Sequence, residues 1–298
     1  MTMAKPGRSV EKRHRSRHFP IGLGRGAAGA MIFGIPMLMT MELWHLGFYI
    51  GRSRLLLLLL VNIPLLVLLA HRIGFEQTFT WREAFRDAMI AYAIAIVIST
   101  VVLFLLGNIT AEVPFSEVIG KVAVQAVPAS IGALLGRSQL GSHRNDDEEQ
   151  EDKAEKKGDH DIVPNEMSTS YGRELFLMGV GALFLSLNVA PTEEIILISY
   201  KMTPLHALGL ILLSIAIMHG FVYAVAFKGS HELSEETPWW HAFFRFTFPG
   251  YMVAVLISIY VLWTFQRLED AAPTQMLMSV IVLSFPGAIG AAAARLIL

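Results

Sequence analysis

The chain has 298 residues, of which 54% are hydrophobic and only 16% charged, with a net charge of −1. A soluble domain carries about 25% charged residues, so this composition specifies a membrane protein. The absence of cysteine excludes disulfides, thiolate metal sites and cysteine nucleophiles. The basic residues of the first 25 positions (Lys5, Arg8, Lys12, Arg13, Arg15, Arg17 and Arg25) adjoin an apolar run, a pattern that reports topology and not nucleic-acid binding.

A bilayer-spanning helix needs ~20 mostly apolar residues. Eight such stretches are predicted, at 26–49, 54–71, 85–106, 117–136, 174–200, 204–227, 243–264 and 273–297. The fold class is therefore all-α, a polytopic transmembrane helix bundle. Its parts are a basic tail at 1–25, a four-helix repeat at 26–137, an acidic linker at 138–170 and a second four-helix repeat at 171–298. The linker core, "RNDDEEQEDKAEKKGDHD", is polar, lacks apolar periodicity and reads as a disordered tether.

The division into eight spans as 4+4 comes from self-similarity. Shifted by 159 positions, Trp81, Phe85, Arg86, Tyr92, Ala95 and Ser99 fall on Trp240, Phe244, Arg245, Tyr251, Ala254 and Ser258. Shifted by 158, Pro128, Ile131, Gly132 and Arg137 fall on Pro286, Ile289, Gly290 and Arg295. A shift of 151 brings Glu42 onto Glu193 and Tyr49 onto Tyr200. A nearly constant offset across three segments marks a tandem duplication. Because each unit has an even number of spans, the repeats are parallel, related by an axis along the membrane normal.

With the N-terminus inside, 19 of the 24 Lys and Arg residues fall on the cytoplasmic side, leaving Arg52, Arg54, Lys121, Lys201 and Arg267 outside. The positive-inside rule then puts both termini and the linker in the cytoplasm. Trp81, Trp239 and Trp240 suit the inner interface, and Trp44, Tyr49, Tyr200 and Trp263 the outer one.

A carboxylate in hydrocarbon costs a few kcal/mol or more, so polar residues inside the spans are the candidate site. Span one carries Glu42 and His45, span five Asn188, Glu193 and Glu194, and spans two and six Asn62 and His219. Under the repeat, Glu42 and Glu193 are equivalent and would face each other with Glu194 alongside. Pro191 removes a helical hydrogen bond and frees a carbonyl near residue 187, and Thr192 adds a hydroxyl. Carboxylate, hydroxyl and carbonyl oxygens suit Na⁺, Ca²⁺, Mg²⁺ or a proton better than soft metals. Glu42 lies roughly 24 Å along its helix from Gly26, so the cluster reads as an outer mouth or an externally accessible site and not as a midplane relay. Pairing of the glutamates with Lys201, Arg52 or Arg54 is the structural alternative. His45 and His219 read as hydrogen-bonding or interface residues that could support the site.

"TMELWHLGFY" in span one, "NVAPTEEIILISYKMTPLHAL" in the second half and the acidic linker together resemble an uncharacterised family of bacterial integral membrane proteins, a domain of unknown function. That resemblance implies a bacterial cell (inner) membrane and no particular activity. A local resemblance, over about thirty residues, is to the CAAX-protease and bacteriocin-processing enzymes. It would cast Glu193 or Glu194 as general base and His219 as partner. The arginine and phenylalanine of that motif are Ile198 and Ile215 here.

The expected function is cation movement, as channel or secondary transporter, through Glu42, Glu193, Glu194 and Thr192, shaped by Pro191 and Asn188. An intramembrane hydrolase and a non-catalytic scaffold subunit are the alternatives. No nucleotide-binding motif is present. The expected partners are the lipid bilayer and an inorganic cation, with no nucleic acid. A homo-oligomer that completes a pore fits as well as a monomer.

Overall fold

The computed structural model describes residues 7–73, 80–153, 167–226 and 243–297. Among the described residues all regular structure is helical: α1 (Gly7–Leu38), α2 (Met41–Tyr49), α3 (Arg52–Ile73), α4 (Trp81–Leu105), α5 (Phe115–Lys153), α6 (Met167–Val189), α7 (Glu193–Lys201), α8 (Pro204–Ala226), a π-helical turn (Phe243–Thr247) leading into α9 (Phe248–Thr264), and α10 (Pro273–Ile297). Among the described residues seven segments are long and apolar enough to cross a membrane: Arg52–His71, Trp81–Leu105, Phe115–Gly136, Tyr171–Val189, Pro204–Phe221, Phe243–Thr264 and Pro273–Ala294.

Two expected spans are not single helices. Residues 26–49 divide into the end of α1 and the nine-residue α2, and residues 174–200 into the end of α6 and the nine-residue α7. At the second break the cause is local: Pro191 cannot donate a helical hydrogen bond and disfavours helical geometry in the residue before it. At the first break no proline follows the hinge. Thr40 leaves the helix in an extended conformation (φ −95°, ψ 128°), as Thr192 does (φ −71°, ψ 145°), and each occupies the N-cap position of the short helix that follows without a side-chain cap hydrogen bond.

The acidic linker also departs from expectation. Residues 138–153 continue α5 as helix, where Glu148, Glu149, Gln150, Glu151 and Lys153 are good helix formers. Residues 154–166 and the paired Trp239 and Trp240 lie outside the described residues.

The chain divides into two compact units. One comprises α1, the C-terminal part of α3, α4, and α5 from Gln125 onward. Here α4 buries Ala84, Asp87, Ala88, Ala91, Ala95, Ser99 and Leu103, a stripe at helical spacing made mainly of small side chains. It starts at Thr80, whose N–H donates to the Glu83 carboxylate at 3.3 Å. On its N-terminal edge Trp81 stacks on His71, 4.3 Å between ring centroids. α1 and α5 meet backbone to backbone. A Cβ on Gly29 would lie 2.4 Å from the Gly132 carbonyl oxygen and 2.6 Å from Gly136 Cα. Apolar lipid offers no hydrophobic drive for such contacts, so helices associate in it by close packing of small residues.

The other unit comprises α2, the N-terminal part of α3, the start of α5 through Val124, and the chain from Ile162. Its core is Met178, Ala182, Met218, Tyr251, Ala254, Ala288 and Ala291. α6 and α10 cross as closely as α1 and α5 do: a Cβ on Gly181 would lie 2.1 Å from the Gly290 carbonyl oxygen. Gly250 leaves room for the thioethers of Met178 and Met218. In the same unit α2 lies against α5, where a Cβ on Gly47 would meet Lys121 Cα at 2.5 Å.

Candidate functional site at the broken helices

α7 begins with two acids, Glu193 and Glu194, in its first turn, where the positive end of the helix dipole favours negative charge. The two are treated differently. Arg267, from the turn between α9 and α10, donates to Glu193 Oε1 at 2.9 Å and also to the carbonyl of Pro191. That carbonyl lies in the break itself, between the end of α6 at Val189 and the start of α7 at Glu193. Glu194 is exposed and engages no partner among the described residues.

Thr192 and Asn188 finish α6. Thr192 Oγ1 donates to the Val189 carbonyl at 2.9 Å, and Asn188 Nδ2 to the Phe184 carbonyl at 2.7 Å. The Asn188 Oδ1 atom is buried and accepts no hydrogen bond among the described residues.

On α2, Glu42 again occupies the first turn. It is half-buried and has no partner among the described residues. His45 is exposed one turn further on. The buried face of α2 is Leu43, Leu46 and Gly47, and the glycine brings it onto the α5 backbone at Gly120 and Lys121. Lys121 is itself buried, with Nζ 2.6 Å from Glu117 one turn earlier on α5.

The turn at 265–272 organises this end of the unit. Arg267 holds the α6–α7 break, as above. Gln266 sits at φ 61°, a left-handed conformation that an L side chain adopts at a cost of about 1–2 kcal/mol. Its Oε1 accepts the Gly51 N–H at 3.0 Å, which fixes the turn between α2 and α3. Arg54 donates to the Trp263 carbonyl at 2.7 Å, stacks over the Trp263 ring at 4.9 Å and pairs with Glu269. The expected partners of the glutamates, Arg52, Arg54 and Lys201, are therefore not the ones used. Arg267 takes Glu193, and Arg54 is committed elsewhere.

Further along α7, Ser199 is buried against α10, where it accepts from Gln275 Nε2 and lies 3.1 Å from Ser279 Oγ. His219, on α8, meets Thr247 Oγ1 at 2.9 Å through Nδ1 and the edge of Phe243 at 5.6 Å. Among the described residues no three His, Asp or Glu side chains come close enough together to hold a metal ion. Glu193 is paired with Arg267, and His219 is joined to Thr247.

A family profile described as "Putative integral membrane protein (DUF2391)" matches residues 22–298. The chain belongs to this family. The match takes in both broken helices and the turn at 265–272, so the residues of the candidate site all lie within the family's domain. Membership makes the chain a multi-pass integral membrane protein in contact with the bilayer. No curated protein and no solved structure matches it.

Proposed function

We propose that the chain is a tandem duplication of a four-helix unit that moves cations across a bacterial inner membrane, both termini cytoplasmic, with Glu42 and Glu194 as its exchange carboxylates. The observation that carries this reading is the recurrence of the same contacts at constant spacing. Gly29 against Gly132 recurs as Gly181 against Gly290, and Gly34 against Ala129 as Ser186 against Gly287. Gly47 against Lys121 recurs as Ser199 against Ser279. In every pair the first member moves by 152 residues and the second by 158.

The helix ends support it too. α4 and α9 close with the same pattern, residue 107 or 266 left-handed and the next N–H bonded back at 2.9 Å to Leu103 or Leu262, 159 residues apart. The caps Thr40 and Thr192 are separated by 152. This register replaces the shift of 151 and makes Glu42 the counterpart of Glu194, not of Glu193.

A pair of repeats with one broken helix each is a recurring transporter architecture, because interrupted backbone at membrane depth is tolerated where it lines a cavity or is buried in protein. Glu42 and Glu194 are the first-turn acids of the two short helices, and neither is neutralised by a basic side chain among the described residues. Glu193 belongs to the Arg267 lock. The test is flux of Na⁺, K⁺, Ca²⁺, Mg²⁺ and protons in proteoliposomes. Glu42→Gln and Glu194→Gln should each abolish it in a folded protein, and wild-type flux in both would remove the reading.

A further inference from the structure

We propose that the α6–α7 break and the facing stretch of α10 form a buried, uncharged, oxygen-lined site for a dehydrated sodium ion. It deepens the transport reading by naming the ion and does not involve the exchange carboxylates.

Two prolines act on the two facing helices. Pro191 has no N–H, so the carbonyl of Leu187 on α6 loses its helical donor. Pro286, inside α10, does the same to the carbonyl of Val282. The packing register puts these residues at one level. The two helices run antiparallel, with Gly181 against Gly290 and Ser186 against Gly287, and α7 continues along α10 with Ser199 against Ser279. Pro286 adjoins Gly287, and Pro191 lies five residues beyond Ser186.

Buried polar side chains lie near the same level. Ser186 is fully buried and its Oγ makes no hydrogen bond among the described residues. The buried Asn188 Oδ1 likewise has none. Ser258 Oγ, also fully buried, donates to the Ala254 carbonyl at 2.8 Å and so keeps its lone pairs available. Gly287 holds the space between the two serines: a Cβ there would lie 3.1 Å from Ser186 Oγ and 3.5 Å from Ser258 Oγ.

Hydroxyl, amide and freed carbonyl oxygens in a protein-buried, water-poor setting are hard ligands without formal charge. Ca²⁺ and Mg²⁺ sites draw on carboxylates, and this set has none, which selects a monovalent ion. Interrupted transmembrane helices offer Na⁺ the same kind of unwound carbonyl. The oxygens also need satisfying, since a buried polar group without a partner is costly in the hydrocarbon region.

The experiment is thermal unfolding of the purified, detergent-solubilised protein in NaCl, LiCl, KCl or choline chloride at constant total salt, with ²²Na⁺ binding measured in parallel. A saturable rise of a few degrees in Tm confined to Na⁺ and Li⁺ is expected, together with stoichiometric ²²Na⁺ binding. Ser186→Ala and Gly287→Ala should weaken both by roughly tenfold or more while leaving Tm in choline close to wild type. Should either variant fail to fold, Ser258→Ala supplies the same comparison. Equal Tm in all four salts without ²²Na⁺ binding would overturn the proposal and mark the site as one for water. Na⁺ binding that survives in Glu42→Gln and Glu194→Gln, with flux lost or never present, would uphold this site whatever becomes of the transport reading. Carboxylate-dependent flux without Na⁺ binding would sink this site alone.

Discussion

Arg267 reaches across from the α9–α10 turn to Glu193, 2.9 Å from its carboxylate, and with its other arm holds the carbonyl of Pro191. One guanidinium thus ties the start of α7 to the break that precedes it. The two bonds differ in weight. Glu193 is largely exposed, with 66% of its side chain accessible, so the ion pair adds at most about 1 kcal/mol. The Pro191 carbonyl, in the turn between the two helices, loses its donor when Arg267 is removed, at about 1–3 kcal/mol.

Arg267→Ala should therefore destabilise the protein by about 1–3 kcal/mol, and Glu193→Gln by less than about 1 kcal/mol. Urea titration followed by tryptophan fluorescence in detergent would separate the two. Equal losses would mean that the salt bridge, not the carbonyl, is what Arg267 serves.

The same asymmetry predicts a division of labour between neighbouring glutamates. Glu193→Gln should retain cation flux in proteoliposomes. Glu194→Gln and Glu42→Gln should each lower it by at least about tenfold, or about 1.4 kcal/mol on the barrier. Loss of flux in Glu193→Gln alone would reverse the assignment.

At the helix crossings, Gly29→Ala and Gly181→Ala each place a methyl group against backbone that cannot swing aside. The expected cost is about 1–3 kcal/mol for each. Gly209, in α8, has nothing within 4 Å of its Cβ position, so Gly209→Ala should be neutral or stabilising by up to about 1 kcal/mol. Comparing midpoints of thermal aggregation for the three variants is sufficient.

Lys121→Met leaves the Glu117 carboxylate, 20% exposed, without its cation. The single substitution should cost about 2 kcal/mol or more, and adding Glu117→Gln should recover most of the loss, as removal of both partners of a buried pair generally does. A double-mutant cycle on unfolding free energy reads the coupling directly.

The chain contains no cysteine, so single cysteines report topology without background. Ala111→Cys, in the exposed turn before α5, should react with a membrane-impermeant maleimide in intact spheroplasts. A cysteine at Lys156 should react only after permeabilisation. The opposite pattern would invert the proposed orientation.

What could be read from the sequence followed from local rules. Seven of the eight stretches chosen by apolar length overlap segments long and apolar enough to cross a membrane among the described residues, and the first, at 26–49, does not. The break at Pro191 was legible because proline acts on its immediate neighbours. The break at Thr40 was not, since Met39–Thr40 carries no proline at the hinge. The role of Arg267 was also hidden. It is 74 residues from Glu193 in the chain, and in an outer turn it looks like any other topology-setting charge. Lys121 was counted the same way, because sequence alone does not show that α2 covers it. The proposed register, with Thr40 and Thr192 152 residues apart, differs by one position from the shift of 151 read from the sequence, an ambiguity two adjacent glutamates create.

Helices of nine residues are too short to be stable alone, since nucleation is unfavourable and few propagating turns follow. α2 finds its support at Gly120 and Lys121, and α7 at Gln275 and Ser279. In both cases the supporting surface emerges from the ribosome about seventy-five residues after the segment that needs it. During biogenesis each short helix must therefore wait, unsupported, for a later span to insert, which makes α2 and α7 the last pieces to settle and the first place for a misassembled chain to be recognised.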